Sequence, residues 1–223
     1  MDIDFYKITI ETLLMTFIST ILAYLIGLPL GVLLNITGKN GLKPNKPLNI
    51  IIGIIVNFLR SVPCLILTVI LLPLNRFLLG RGTGVWYTMI IPLFFSSFAY
   101  VARNVEQSLQ DVNNGAIEAA KSLGASKLQI IKNVLLPESR SSLILGFTIT
   151  LVNVLGYTSF AYNIGAGGLI SEIWSYYTKN TTDFLSSWVF WLMITLVVIF
   201  VEIIQELGLL LAKKLDKRKT LKI

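Results

Sequence analysis

Few side chains in this sequence could carry out covalent chemistry. Histidine is absent, which removes the commonest proton relay and metal ligand near neutral pH. The single cysteine, Cys64, lies inside an apolar run and reads as a small buried side chain rather than a nucleophile. No paired-carboxylate motif occurs. The nearest approach to a phosphate-binding loop is Gly38-Lys39-Asn40, but Leu33 holds the place of the first glycine and Asn40 that of the Ser/Thr. Gly165-Ala166-Gly167-Gly168-Leu169 fails the same pattern and reads as a tight turn or short re-entrant segment. A chain so equipped is expected to be no enzyme, to bind no metal and to hydrolyse no nucleotide.

What remains is electrostatic and mechanical. Arg60, with Ser61 beside it, stands in an apolar run about 18 Å along a helix from its polar end. A central membrane arginine costs about 2.5–3.5 kcal/mol on insertion scales. It should therefore face protein or a watery cavity. Two readings stay open: a functional charge, or a structural group that pairs with a carboxylate such as Glu202 or caps carbonyls freed by Pro63. A later run is unusually polar, with Thr148, Thr150, Asn153, Tyr157, Thr158 and Ser159, followed by Phe160. Thr148 and Thr150 can bond back to their own helix. Asn153 cannot lie cheaply in hydrocarbon, so this helix is expected to be surrounded by protein or to line a pathway.

The elements that must hold these residues are membrane spans. Of the 223 residues, 54% are hydrophobic and only 14% charged, against about 25% charged in globular domains. Five windows approach the ~20 apolar residues that a bilayer requires, near 13–34, 48–72, 86–102, 143–162 and 185–211. This predicts an all-α membrane protein of one domain. Asp2 and Asp4 open the chain where a cleavable signal would be positive, so the first span is expected to remain in the mature protein. The net charge of +7 need not imply nucleic acid. Lys39, Lys43 and Lys46 follow the first span. Lys121, Lys127, Lys132 and Arg140 fall between the third and fourth, and a basic tail occupies 212–223. The alternate segments hold only Lys7, Arg76, Arg81 and Lys179. By the positive-inside rule the N-terminus lies outside and the C-terminus in the cytoplasm. Pro29 predicts a kink in the first span, and Gly27 and Gly31 a surface for close helix approach, within the protomer or across a dimer. The fifth span reads as a plain anchoring helix.

One segment on the cytoplasmic side, within 106–140, is polar and has its own punctuation. Asn113 or Asn114 can cap a short helix. Ala116, Ala119, Ala120 and Leu123 recur on one helical face. Gly124 suits a left-handed C-cap, and Ser126-Lys127-Leu128-Gln129 suits a capping box. Leu128, Ile131 and Leu135 would line a second short helix, ended by Pro137. Two such helices across the cytoplasmic mouth suit a docking element better than a tether.

Glu118-Ala119-Ala120, Gly124 and Leu136-Pro137 resemble the EAA loop of permease subunits from bacterial ABC importers. Asn57 to Pro63, and Thr148 through Gly156-Tyr157 to Gly165-Ala166-Gly167-Gly168-Leu169, look like the methionine-importer permeases, a likeness covering nearly the whole chain. Phe160 departs from it, standing where an unbranched aliphatic residue is expected, as do Asn163-Ile164 before the glycines. The resemblance implies a homodimeric, multi-pass permease of the bacterial inner membrane. It would work by alternating access with two cytoplasmic ATPase subunits that bind ATP and Mg, and with an extracytoplasmic substrate-binding protein. Helix 114–123 would be the coupling helix, engaging the ATPase through Glu118, Ala119, Ala120, Leu123, Gly124, Ala125, Leu128 and Pro137. Arg60, Ser61, Asn153, Tyr157, Ser159 and Phe160 would lie at the pathway or gate. Another amino acid or a small peptide remains open as substrate. An ion-coupled secondary transporter fits less well, because five spans do not divide into equal repeats.

Overall fold

The computed structural model describes residues 4–216, which are mostly helical, with no strand among them. The basic residues Lys217, Arg218, Lys219 and Lys222 of the expected tail lie outside the described residues. Helix α1 spans Phe5–Thr37, capped by the Asp4 carboxylate. Helices α2 (Lys46–Ser61) and α3 (Cys64–Ile70) follow, then α4 (Leu72–Leu79). A 3₁₀ turn at Trp86–Met89 leads into α5 (Ile90–Gln110). Helix α6 (Asn114–Ser122) and a short α7 (Lys127–Ile130) precede α8 (Leu136–Tyr157). Helices α9 (Leu169–Lys179) and α10 (Trp188–Leu215) complete the chain.

Four continuous helical stretches are long and apolar enough to cross a membrane, and the pair α2–α3 brings the number to five if taken as one span. The window 48–72 is therefore no straight helix: the chain turns by 94° between α2 and α3. Val62-Pro63 supplies the break, since a proline disfavours helical backbone in the residue before it. Pro29 lies inside the first span, and α1 continues through it as one helix from Phe5 to Thr37.

Helix α5 is the central rod, and each of its sides takes a different neighbour. Against α1 the packing is backbone-close. A methyl group on Gly27 would lie 2.7 Å from the Phe98 carbonyl oxygen, and one on Gly31 would lie 2.6 Å from Val105 Cβ. The two small residues thus seat α1 on α5 within one protomer, burying Ala23, Val101, Ala102 and Val105 completely. Against α8, Ser108 and Ser142 hydroxyls bond at 2.8 Å. Against α2 a small apolar patch, Val56 with Ile52 and Leu59, is joined by polar contacts through Arg103. The outer rim is α10, anchored on α8 where Gly208 leaves room for Thr148, and otherwise little buried.

The long helices share two ends. At one, the Asn49 amide donates to the Leu34 carbonyl (2.8 Å), Arg140 Nε donates to the Leu215 carbonyl (2.9 Å), and Lys213 and Lys214 sit in the last turn of α10. At the other, the Leu169 amide donates to Thr12 Oγ1 (2.7 Å) and the Gly168 amide to Glu11 Oε2 (3.2 Å). Gly165, Gly167 and Gly168 all take positive φ to make that tight turn. Helices α4 and α9 at this end have no counterpart among the sequence expectations.

Replacing Gly31 by leucine should lower the thermal midpoint of the detergent-solubilised protein by about 2–10 °C, as overpacking costs ~1–3 kcal/mol. Alanine at Gly156, where an added methyl meets nothing within 4 Å, should leave it unchanged or slightly raised. Differential scanning fluorimetry of both variants checks the contrast.

Candidate functional site

The punctuated polar segment forms the loop between α5 and α8. Asn113 Oδ1 accepts from the Gly115 amide at 2.8 Å and starts α6. None of α6's side chains is fully buried. Its end is a Schellman turn: the Ala125 amide donates to the Ala120 carbonyl (3.1 Å) and the Gly124 amide to the Lys121 carbonyl (3.0 Å). Gly124 takes φ +78°, the left-handed conformation the motif requires. Next comes a complete capping box, in which the Ser126 amide donates to Gln129 Oε1 (2.7 Å) and the Gln129 amide to Ser126 Oγ (3.4 Å).

The second short helix is where the structure corrects the sequence. Pro137 does not end it. Helix α7 runs through a π-helical turn, Ile131–Leu135, directly into α8. A proline lacks an N–H and its ring conflicts with the carbonyl one turn back, here that of Asn133. The wider turn relieves that conflict, so α7 is the start of the fourth helical stretch and α6 alone is a separate short helix. The loop proper is 111–126, shorter than 106–140, because α5 continues to Gln110.

The exposed face also differs from the expected alanine stripe. Glu118 and Ala119 are exposed, and Leu123 is 88% exposed. Ala120 and Ala125 instead turn toward the protein, packing with Ile117 against the core that includes Val112, Ile130 and Leu135. Leu128 leaves its expected inner face and is 60% exposed, its place taken by Ile130. The outward set is thus Glu118, Ala119, Leu123 and Leu128. Beneath α6 a cleft of about 620 Å³ opens, bounded by the Gly38–Leu42 loop and by Glu118 and Lys121.

The expected pathway residues divide between two places. Phe160 lies in a 3₁₀ turn, Thr158–Ile164, and packs against a core of Cys64, Val154, Ala161 and Ile164. The break between α2 and α3 therefore meets the end of the fourth span. Tyr157, 37% exposed, stacks on Phe160 with ring centres 6.4 Å apart. Asn153 on α8 and Ser159 in the 3₁₀ turn are half-buried. Thr148 and Thr150 do bond back to Ile144 and Gly146. Arg60 is exposed on the protomer and lies 5.8 Å over the Tyr100 ring, not against Glu202, which is itself exposed on α10. Ser61 bonds the Asn57 carbonyl of its own helix.

Sequence reading passed over Arg103 as a span boundary. Its guanidinium makes four hydrogen bonds. Nη1 donates to Glu106 Oε2 (2.6 Å), Nη2 to the Gly53 carbonyl (3.1 Å) and to Asn57 Oδ1 (3.0 Å), and Nε to the same Asn57 oxygen (3.2 Å). The i, i+3 spacing of Arg103 and Glu106 was the available signal; the partner 46 residues away was not.

Residues 27–213 match the family described as "Binding-protein-dependent transport system inner membrane component". A relative in Haemophilus influenzae, "Probable D-methionine transport system permease protein MetI", is 39% identical over 210 residues, covering 94% of this chain and 96% of the relative. The Escherichia coli K12 "D-methionine transport system permease protein MetI" is 40% identical over 149 residues, 67% of this chain and 68% of the relative. Among solved structures, the inward-facing MetNI methionine ABC transporter in its CY5 native crystal form superposes with a TM-score of 0.87. It is 35% identical and covers 94% of this chain and 95% of that one. An amino acid ABC transporter crystallised with histidines shares the fold alone, with a TM-score of 0.73 at 18% identity over 94% of this chain and 93% of that one.

Gly124→Val should fray α6 without unfolding the bundle. The added Cβ meets nothing, but the left-handed backbone costs a β-branched residue about 1–2 kcal/mol. Hydrogen exchange at the Leu123, Gly124 and Ala125 amides should quicken about tenfold, with the α5 core unchanged.

Proposed function

The chain belongs to the family of binding-protein-dependent transport system inner membrane components, and from that membership we propose that it is the permease of an ATP-driven methionine importer. Two copies would form the translocation unit in the bacterial cytoplasmic membrane. Two ATPase subunits would bind ATP and Mg and act on it from the cytoplasm, and a substrate-binding protein would deliver methionine from outside. The observation that carries this reading is α6: a nine-residue helix with no buried side chain, locked at both ends, at the tip of the central rod. This helix and the start of α7 leave Ala119, Leu123 and Leu128 outward, and the ATPase would be the partner that covers them. Methionine as substrate is supported by the relatives' names over nearly the whole chain.

The orientation follows from charge. The α1–α2 loop lysines, Lys121 with Lys127, and Lys213 with Lys214 gather at the end that carries α6, the cytoplasmic one in this reading. Trp86, Trp174, Trp188 and Trp191 begin or flank elements at the opposite end, where an aromatic belt would meet the outer headgroups. In this arrangement rotation of the ATPases would move α6 and, with it, the ends of α5 and α8. Alternating access would then open and close the region around Tyr157 and Phe160, where the bent α2–α3 span meets the end of α8. Arg60 and Ser61, at the bend, would face the pathway shared by the two copies.

Proteoliposomes holding this chain, its ATPase and its binding protein should accumulate radiolabelled D- or L-methionine only with ATP inside. Leu123→Arg should abolish co-purification of the ATPase, placing an unpaired charge in an apolar seat. Uptake without ATP, or an undiminished ATPase yield with Leu123→Arg, would overturn the assignment.

In the same complex with Cys64 replaced by alanine, single cysteines at Tyr157 and Ser159 should react with a water-soluble maleimide at rates that change about tenfold or more between nucleotide-free and ATP-trapped states. Equal rates would remove these residues from the gate.

A further inference from the structure

We propose that Arg103 is a positioning residue that makes the bent span α2–α3 move with the coupling helix, an inference that rests on the transport function proposed above. The case starts from how each helix is attached to α5. Helix α1 is locked by backbone-close apolar packing at Gly27 and Gly31. Helix α8 is joined through Ser142 and is continuous with the far side of the α6 loop. Both must follow any displacement of α6. Helix α2 is different. Val56 is its one buried residue, and Ile50, Ile51, Ile54, Ile55 and Phe58 all point away from the protomer's core.

Its apolar seat is small, Val56 with Ile52 and Leu59 on the core that holds Val101 and Val105, and its polar attachment sits at two points. Near the start, the Asn49 amide bonds the Leu34 carbonyl and Thr37 Oγ1 at the end of α1. One turn and two turns later, the Gly53 carbonyl and the Asn57 side chain receive the Arg103 guanidinium. Glu106 holds that guanidinium from below at 2.6 Å, and the pair is mostly shielded, at 20% and 12% side-chain exposure. Gly53 lets the guanidinium lie flat against α2: a methyl there would stand 3.3 Å from Nη2. Arg103 lies two turns before the end of α5, and three residues separate that end from α6. A fork with donors in fixed directions transmits displacement in a way that a greasy, lipid-facing contact does not. The far end of α2 is the 94° bend, whose Cys64 packs in the core against which Phe160 rests. Load entering α6 would thus reach the bend by way of α5, Arg103 and α2.

The test uses the complete importer in liposomes and reads methionine transported per ATP hydrolysed. Asn57→Ala removes the acceptor on α2 and leaves Arg103 with Glu106 intact, while Asn57→Asp keeps the acceptor. The expected result is a ratio lowered about tenfold in Asn57→Ala and Arg103→Met, as for loss of a charge-assisted hydrogen bond. The Asn57→Asp ratio should stay near wild type, and the Asn57→Ala/Arg103→Met double variant should be no worse than either single. Spin labels at Ile51 and Gln107 should hold one separation through the ATP cycle in wild type and two in Asn57→Ala. An unchanged ratio in both single variants, or equal loss in Asn57→Asp and Asn57→Ala, overturns the proposal. If Arg103→Met fails to assemble, the two Asn57 variants decide alone. A wild-type complex that neither takes up methionine nor hydrolyses ATP in response to the binding protein would instead sink the proposed function.

Discussion

The contact on which the rest of this structure depends is the seam between α1 and α5. In lipid, apolar burial gives little reason for one helix to prefer another helix over hydrocarbon chains. Helices stay together through close packing and a few polar bonds. Gly27 and Gly31 bring the α1 backbone onto the Phe98–Val105 stretch so closely that no side chain fits between them. Ser19 adds a bond to the Ile90 carbonyl at 3.3 Å. The result is a two-helix rod with Ala23, Ala99, Val101, Ala102 and Val105 wholly enclosed, and every other element is held relative to it.

The attachments to that rod are graded, and the grading has a physical logic. Helix α9 is tied at its N-terminus, where Glu11 and Thr12 on α1 accept the Gly168 and Leu169 amides. A carboxylate at a helix N-terminus both satisfies an orphan donor and opposes the helix dipole. Helix α10 rests on α8 at Gly208 and presents most of its surface outward, as a membrane anchor should. Helix α2 buries Val56 alone and is pinned by hydrogen bonds at Asn49, Gly53 and Asn57. Elements that must stay put are packed, and the element with a bend in it is pinned by hydrogen bonds.

Much of this was legible in sequence because the deciding signals are local. Apolar run length marked the spans, and the caps of α6 and α7 followed from Asn113, Gly124 and Ser126-Gln129, each of which acts within a few residues. Three things were not legible. A break with a 94° bend at Pro63 and an unbroken helix through Pro29 and Pro137 arise from the same residue type; tertiary packing and a π turn decide between them. The inward turn of Ala120 depends on the core that holds Ile130 and Leu135, against which it packs, and helical periodicity alone cannot report that. Arg103 meets Gly53 and Asn57 across 50 and 46 residues, and no local rule joins positions so far apart.

The π turn before Pro137 bears on how the loop can work. Had Pro137 ended a separate helix, a flexible joint would stand between α6 and the fourth span, and movement of α6 would dissipate there. Instead the helix runs from Lys127 to Tyr157 with one widened turn. On the other side, α5 stops at Gln110, and only Asp111, Val112 and Asn113 intervene before α6, with Val112 buried. The Schellman turn and the capping box fix the remaining joint by hydrogen bonds at four backbone amides. Helix α6 is therefore less a dangling loop than a crosspiece between two long rods. In the proposed function, displacement of the crosspiece would be carried along each rod, and along α8 toward the region where Tyr157 and Phe160 stack.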